Sequence, residues 1–112
     1  MMDSLKENSR FRRLYRRGNS AGNRYLVLYC MRNHSDKTRV GLTVSAKLGN
    51  AVVRNRMRRR LREVYRLNRE RFSTGYDIVV VARTAALDAP FDVLTYAYLS
   101  LAARLGLAEK PS

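Results

Sequence analysis

Nine consecutive residues carry the strongest chemical signal in this chain: Arg54-Asn55-Arg56-Met57-Arg58-Arg59-Arg60-Leu61-Arg62, six of them arginine. A guanidinium presents a flat fork of donors that matches phosphate bidentately and stacks on bases, so a run of them suits nucleic acid better than a run of lysines would. On a helical wheel Asn55, Arg58, Arg59, Arg62, Arg66 and Arg69 cluster opposite Met57. Arg56 and Arg60 flank that cluster on one side and Arg54 on the other. A merely solvated face mixes signs to form i, i+4 pairs, yet residues 51–62 contain no acid. The cations also start in the first turns, where the helix dipole favours anions; each exposed charge there costs roughly 0.3–1 kcal/mol at low salt. Phosphates would supply the missing negative charge. A solvated face and an anionic membrane surface are the competing readings.

Candidates for catalysis are scarce by comparison. The nine acids are Asp3, Glu7, Asp36, Glu63, Glu70, Asp77, Asp88, Asp92 and Glu109, and no two share a metal-ligand spacing. Glu63 and Glu70 lie on the basic helix and read as internal partners for its arginines. His34 is the sole histidine and Cys30 the sole cysteine, so the usual zinc ligands are lacking. His34 reads as an exposed turn residue and Cys30 as a small buried side chain. No glycine-rich phosphate loop appears. The residues themselves point to a binding protein with no catalytic group of its own. Four aromatics could stack on unpaired bases: Phe11 and Tyr15 on a first short helix, Tyr25 and Tyr29 on one face of a strand with Val27 between them. Core packing is the alternative for all four.

The elements that must position these groups follow from periodicity. Residues 9–17 read as a short helix stopped by Gly18, with Phe11, Leu14 and Tyr15 on one face. Residues 18–23 read as a turn or weak edge strand, 25–31 as a strand and 33–36 as a turn. Residues 39–45 alternate as a half-buried strand. Asn50 is the expected N-cap of a long helix over 51–71, whose stripe is Val53, Met57, Leu61, Val64, Tyr65, Asn68 and Phe72. The run Ile78-Val79-Val80-Val81-Ala82 suits a strand covered on both faces, and 85–89 a loop. Pro90 is the expected first residue of a last helix carrying Phe91, Leu94, Tyr98, Leu101 and Leu105, stopped by Gly106.

Composition bounds what such a chain can be. At 112 residues it is expected to form one domain, with 1–8 and 107–112 loose. Its hydrophobic fraction of 46% supports a real core. Lys plus Arg total 23 against 9 Asp plus Glu, a net charge of +14, which repels itself and calls for an anionic partner. One thiol and no apolar run of membrane-spanning length point to a reducing, cytoplasmic setting. The architecture expected is α+β, with two helices packed on a small sheet.

The stretch RVGLTVSAKLGNAVVRNRMRRRLRE, residues 39–63, resembles the signature block of the bacterial ribonuclease P protein family, above all Gly49-Asn50-Ala51-Val52 leading into Arg54-Asn55-Arg56. The similarity runs from about Phe11 to Leu105. It implies an α-β-β-β-α-β-α two-layer domain, with a left-handed crossover through the basic helix, like the second domain of ribosomal protein S5. It implies a non-catalytic protein subunit of an endoribonuclease. A large RNA subunit would perform magnesium-dependent removal of the 5′ leader from precursor tRNA, with one protein per RNA and no metal or cofactor held by the protein. By position, Arg54, Asn55, Arg56, Arg58, Arg59 and Arg62 would face the catalytic RNA, with Arg66 continuing the ridge. Phe11, Tyr15, Val27 and Tyr29 would line a cleft for the single-stranded leader, with Lys47 near its edge. Ala46 stands where the family often has a second lysine, and Tyr15 where it often has phenylalanine. A ribosomal or general RNA-binding protein, a DNA-binding protein and an independent nuclease are the alternatives, in that order.

Overall fold

The computed structural model describes residue 5 and residues 8–111. The expected loose segment 1–8 therefore lies outside the described residues except for its members Leu5 and Asn8. Leu5 is buried, and its N–H donates to the Val40 carbonyl at 3.1 Å, so at that residue the chain is held.

Helix α1 spans Asn8–Arg17, followed by β1 (Asn19–Gly22), β2 (Leu26–Arg32) and β3 (Arg39–Thr43). A 3-10 turn at Ala46–Leu48 leads into α2 (Ala51–Asn68), which tightens into a second 3-10 turn at Arg69–Arg71. Strand β4 (Tyr76–Ala82), a 3-10 turn at Thr84–Asp88 and α3 (Phe91–Arg104) complete the order. Setting aside the short turns, this is the α-β-β-β-α-β-α sequence of elements. Among the described residues the strands form one mixed sheet in the order β1-β2-β4-β3. Strands β1, β2 and β4 are antiparallel neighbours and β3 runs parallel to β4. A parallel pair cannot be joined by a hairpin, so the connection crosses over and carries α2.

Register decides what each face holds. Leu26, Leu28 and Cys30 of β2 share a face with Ala82, Val80 and Ile78 of β4 and with Val40 of β3. Met57, Leu61 and Val64 of α2 and Leu94, Tyr98 and Leu101 of α3 close over them, all at 1% exposure or less. Each such side chain contributes about 1.5–3 kcal/mol by leaving water. The opposite face carries Tyr29 and Met31 of β2 and Val79 of β4, covered in part by Leu14 and Phe11 of α1. Strand β4 is central and wrapped on both sides, which is why its apolar run is continuous rather than alternating. The sheet with α2 and α3 makes the expected two layers; α1 adds partial cover on the other face.

The helix ends obey their signals. The Asn50 side chain accepts the Val53 N–H at 3.0 Å, capping α2. Pro90 stands one residue ahead of its expected place, as the residue before α3, and its carbonyl accepts the Leu94 N–H at 2.9 Å. At the far end Gly106 adopts φ +74. Its N–H reaches the Ala103 carbonyl at 3.1 Å, and the Leu107 N–H reaches Ala102 at 2.8 Å, a Schellman closure. That closure corrects the expectation of a loose tail from 107. Leu107 is fully buried, its carbonyl accepts the Ser73 N–H at 2.8 Å, and Ala108 bridges to Phe72. Phe91, expected on the apolar stripe of α3, is 38% exposed at the first residue of that helix. No described helix is long and apolar enough to cross a membrane.

Candidate nucleic-acid interface

The arginine ridge begins where β3 delivers the chain to α2. Gly49 makes that turn at φ +153, and a Cβ there would sit 2.9 Å from Val53. Once α2 is laid on the sheet by Met57, Leu61, Val64 and Tyr65, its arginines separate into two groups. Arg54 donates Nε to the Gly49 carbonyl at 3.2 Å, and Arg58 donates to Asn55 Oδ1 at 2.9 Å. Arg60 turns inward: it donates to the carbonyls of Ala86 (3.2 Å), Leu87 (3.5 Å) and Ala89. Burial, and then the neighbouring Arg56 charge, lower its pKa from the ordinary value. Arg66 pairs with Glu63 one turn back, which holds the Glu63 carboxyl below its usual range. Arg56, Arg59 and Arg62 remain exposed with no acid or carbonyl partner among the described residues. Arg66 belongs to the ridge by direction but is half-neutralised by Glu63.

The aromatic candidates lie on the other face of the sheet. Helix α1 is fixed there by Asp77, which is 4% exposed. Arg39 donates to Asp77 through Nε at 2.9 Å and Nη2 at 3.1 Å. Asn33 Nδ2 lies at 3.0 Å and Arg10 Nη1 at 3.4 Å from the same carboxylate. Phe11 then packs directly on Gly41: a Cβ at that glycine would fall 2.3 and 2.6 Å from its ring. One helical turn on, the Tyr15 ring meets Tyr29 edge-on, centroids 4.9 Å apart, and its hydroxyl bonds Thr43 Oγ1 at 2.7 Å. Beyond Tyr15 the next row of the sheet, Gly22, Val27, Val81 and Thr43, is exposed or only partly covered. Tyr15, Tyr29 and Val27 are thus brought together around one open floor. Phe11 contributes mainly as packing behind Tyr15. Lys47 is exposed on the turn after β3, at the same end of the sheet as Thr43.

Tyr25 departs from the expected face. The Asn23 side chain accepts the N–H groups of both Tyr25 (2.9 Å) and Leu26 (3.0 Å), so Tyr25 precedes the strand and escapes its alternation. Its ring packs toward α3 instead. Val81 and Thr43 join the floor although neither stood out in the sequence, because only pairing register reveals them. A further set was also missed: Arg12, Arg13, Arg16 and Arg17 are exposed along α1, in a helix without a single acid. The signal was present in the composition of residues 8–17. Cys30 is buried, which raises its thiol pKa, and His34 is exposed in its turn at φ +59. Among the described residues no three His, Cys, Asp or Glu side chains gather.

The family model described as Ribonuclease P matches residues 2–106. A relative from Clostridioides difficile, named ribonuclease P protein component, is 51% identical over 88 residues, covering 78% of this chain and 77% of its own. One of the same name from Alkaliphilus oremlandii is 40% identical over 106 residues, covering 95% and 93%. The solved structure of the Staphylococcus aureus RNase P protein superposes with a TM-score of 0.87 at 32% identity, across 97% of this chain and 100% of that one.

Proposed function

The chain belongs to the ribonuclease P protein family, and from that premise we propose that it is the protein subunit of a ribonuclease P holoenzyme that grips RNA at two places. In this reading Arg56, Arg59 and Arg62, with Arg54, Asn55, Arg58 and Arg66 around them, bind backbone phosphates of the catalytic RNA. The floor bounded by Tyr15, Tyr29, Val27, Val81 and Thr43 receives the single-stranded 5′ leader of precursor tRNA. Lys47, and the α1 arginines above the floor, attract its phosphates. Hydrolysis belongs to the RNA and its magnesium ions. The protein's work is affinity and charge: it adds leader contacts that mature tRNA cannot make, and it screens the repulsion between two polyanions. One protein per RNA, in the cytoplasm, completes the proposal.

The observation that carries it is the junction at β3. Thr43 rims the aromatic floor, and the chain passes through the Lys47 turn straight to Asn50 and the start of the arginine ridge. Two RNA-binding chemistries, ring stacking for unpaired bases and guanidinium forks for phosphates, therefore meet at one end of the sheet.

The test is cleavage of precursor tRNA at low magnesium by a bacterial ribonuclease P RNA, with and without the protein, and with the protein alone. Cleavage at the mature 5′ end only when both are present is expected. No stimulation with several such RNAs, alongside tight RNA binding, would return the chain to a ribosomal or general RNA-binding role. Base–aromatic stacking contributes about 1–3 kcal/mol per base, so Tyr29→Ala is expected to weaken precursor binding by about tenfold or more. Binding of mature tRNA is expected to stay unchanged; equal losses for both would refute the leader floor.

A further inference from the structure

A groove on the outer side of α3 is used by neither the arginine ridge nor the aromatic floor. Its volume is about 490 Å³, within the range of small-ligand sites. One wall is α3, where Asp92, Tyr96, Ser100 and Arg104 recur every four residues and so form a single ridge. The facing wall is the β1–β2 connection at residues 23–25. Asn23 holds that wall in place: its Oδ1 accepts two backbone N–H groups, and its Nδ2 donates to the Ala97 carbonyl of α3 at 3.1 Å. The groove is thus built into the fold rather than left between loose loops.

The side chains in it form a pattern. Tyr96 presents a large ring and is 60% exposed. The Arg24 guanidinium lies over the Tyr25 ring at 5.8 Å. A second guanidinium in the groove, that of Arg104, is tethered to the Gly22 carbonyl at 3.2 Å. Tethering leaves other donors of that fork free. Against these two cations stands one anion, Asp92, in the first turn of α3. An apolar peptide would find no use for two guanidiniums. An unpaired nucleotide uses every feature: a ring to stack on, cations for its phosphate and a polar group to read the base. Asp92 is acceptor-only with two oxygens, which suits a base edge offering two adjacent donors. Guanine, with N1–H beside its exocyclic amine, is such a base.

We propose that this groove is a second RNA contact that takes an unpaired guanine nucleotide. The base stacks on Tyr96 with Tyr25 as the opposite wall, its two donors meet Asp92, and its phosphate meets Arg24 and Arg104. The site stands on the other side of α3 from the α2 ridge and on the other face of the sheet from the Tyr29 floor, so it does not depend on the role proposed above.

The test is a titration of the isotopically labelled protein with guanosine 5′-monophosphate, read by amide chemical shifts. Adenosine and uridine monophosphates and ribose 5-phosphate are the comparison arms. Saturable shifts at Val93, Tyr96, Ala97 and Ser100, larger than at Val27 and Tyr29, are expected for the guanine nucleotide. Tyr96→Ala, exposed and so not needed for folding, is expected to weaken it about tenfold, at the lower end of the stacking range. Asp92→Ala is expected to abolish the preference for guanine over adenine. Ribose 5-phosphate binding as tightly as the nucleotide would reduce the groove to a phosphate patch and overturn the proposal. Equal binding of guanine and adenine by the unaltered protein would do the same for the base assignment. Absence of saturable shifts with every nucleotide would leave the groove to a protein partner and overturn the proposal outright.

Discussion

Replacing Arg56, Arg59 and Arg62 together by glutamine separates a phosphate-binding ridge from a solvated helix face. These three guanidiniums are exposed and have no internal partner among the described residues, so their loss leaves the core untouched. Each phosphate contact steepens the log–log dependence of affinity on salt by about 0.9 on duplex or 0.7 on single strands. Three contacts amount to roughly 2.1–2.7 units of slope. Between 50 and 200 mM salt the unaltered protein should therefore lose about 20–40 times more affinity than the triple variant does. The assay is binding to a ribonuclease P RNA by fluorescence anisotropy across that salt range. Arg60→Gln is the internal control. Its guanidinium serves the carbonyls of Ala86, Leu87 and Ala89 rather than solvent. Removing it should cost about 1.5–3 kcal/mol of stability, the range for hydrogen bonds to a charged group, and leave the slope unchanged. The same slope for the triple variant and the unaltered protein would refute the ridge. A slope lost as fully in Arg60→Gln would refute the division between inward and outward arginines.

Three further perturbations follow from individual contacts. Glu63→Gln removes the partner of Arg66; because that pair is exposed, stability should hold while the salt slope steepens by about 0.7–0.9, one added phosphate contact. The Glu63 carboxyl is held below its usual range, so the pair is intact at neutral pH and is lost only as pH falls through the lowered value; below it the unaltered protein should match the variant. Gly41→Ala would set a Cβ 2.3 Å from the Phe11 ring and 3.2 Å from Leu5, with a loss of about 1–3 kcal/mol in urea denaturation that Phe11→Leu should partly restore. Unchanged stability would mean that α1 does not rest on β3. Tyr98→Phe removes a buried hydroxyl with no hydrogen-bond partner among the described residues, whose ionisation burial pushes far up; a gain of about 1 kcal/mol in thermal unfolding is expected, and a loss would reveal a partner.

What could be read from the sequence was whatever depends on near neighbours in the chain. Asn50 and Gly106 set helix ends because a cap acts within a few residues. The apolar run of β4 announced a strand covered on both faces because each residue had to be buried whichever way it pointed. The aromatic floor was only half legible. Period-2 alternation put Val27 and Tyr29 together, but Val81 and Thr43 enter through pairing with β2 and across β4, which no local pattern encodes. Tyr25 left the group for an equally non-repeating reason, since Asn23 captured its N–H and the alternation starts one residue later, at Leu26.

The arginines make the same point more sharply. A helical wheel gives a direction, and by direction Arg56 and Arg60 are alike: one turn apart on the same flank of α2. The fold tells them apart because the turn at Thr84–Asp88 brings three carbonyls against Arg60 and nothing comparable against Arg56. Arg60 thereby becomes a strut between α2 and the start of α3, its charge absorbed by backbone dipoles. Arg56 keeps its full charge in water, where only an added anion can offset it. Of the six arginines in residues 54–62, then, it is the tertiary environment that assigns one to the protein's own stability and leaves Arg56, Arg59 and Arg62 exposed without an acid or carbonyl partner among the described residues. A count of basic residues overstates the charge left uncompensated, and a count of guanidiniums without an internal acceptor measures it.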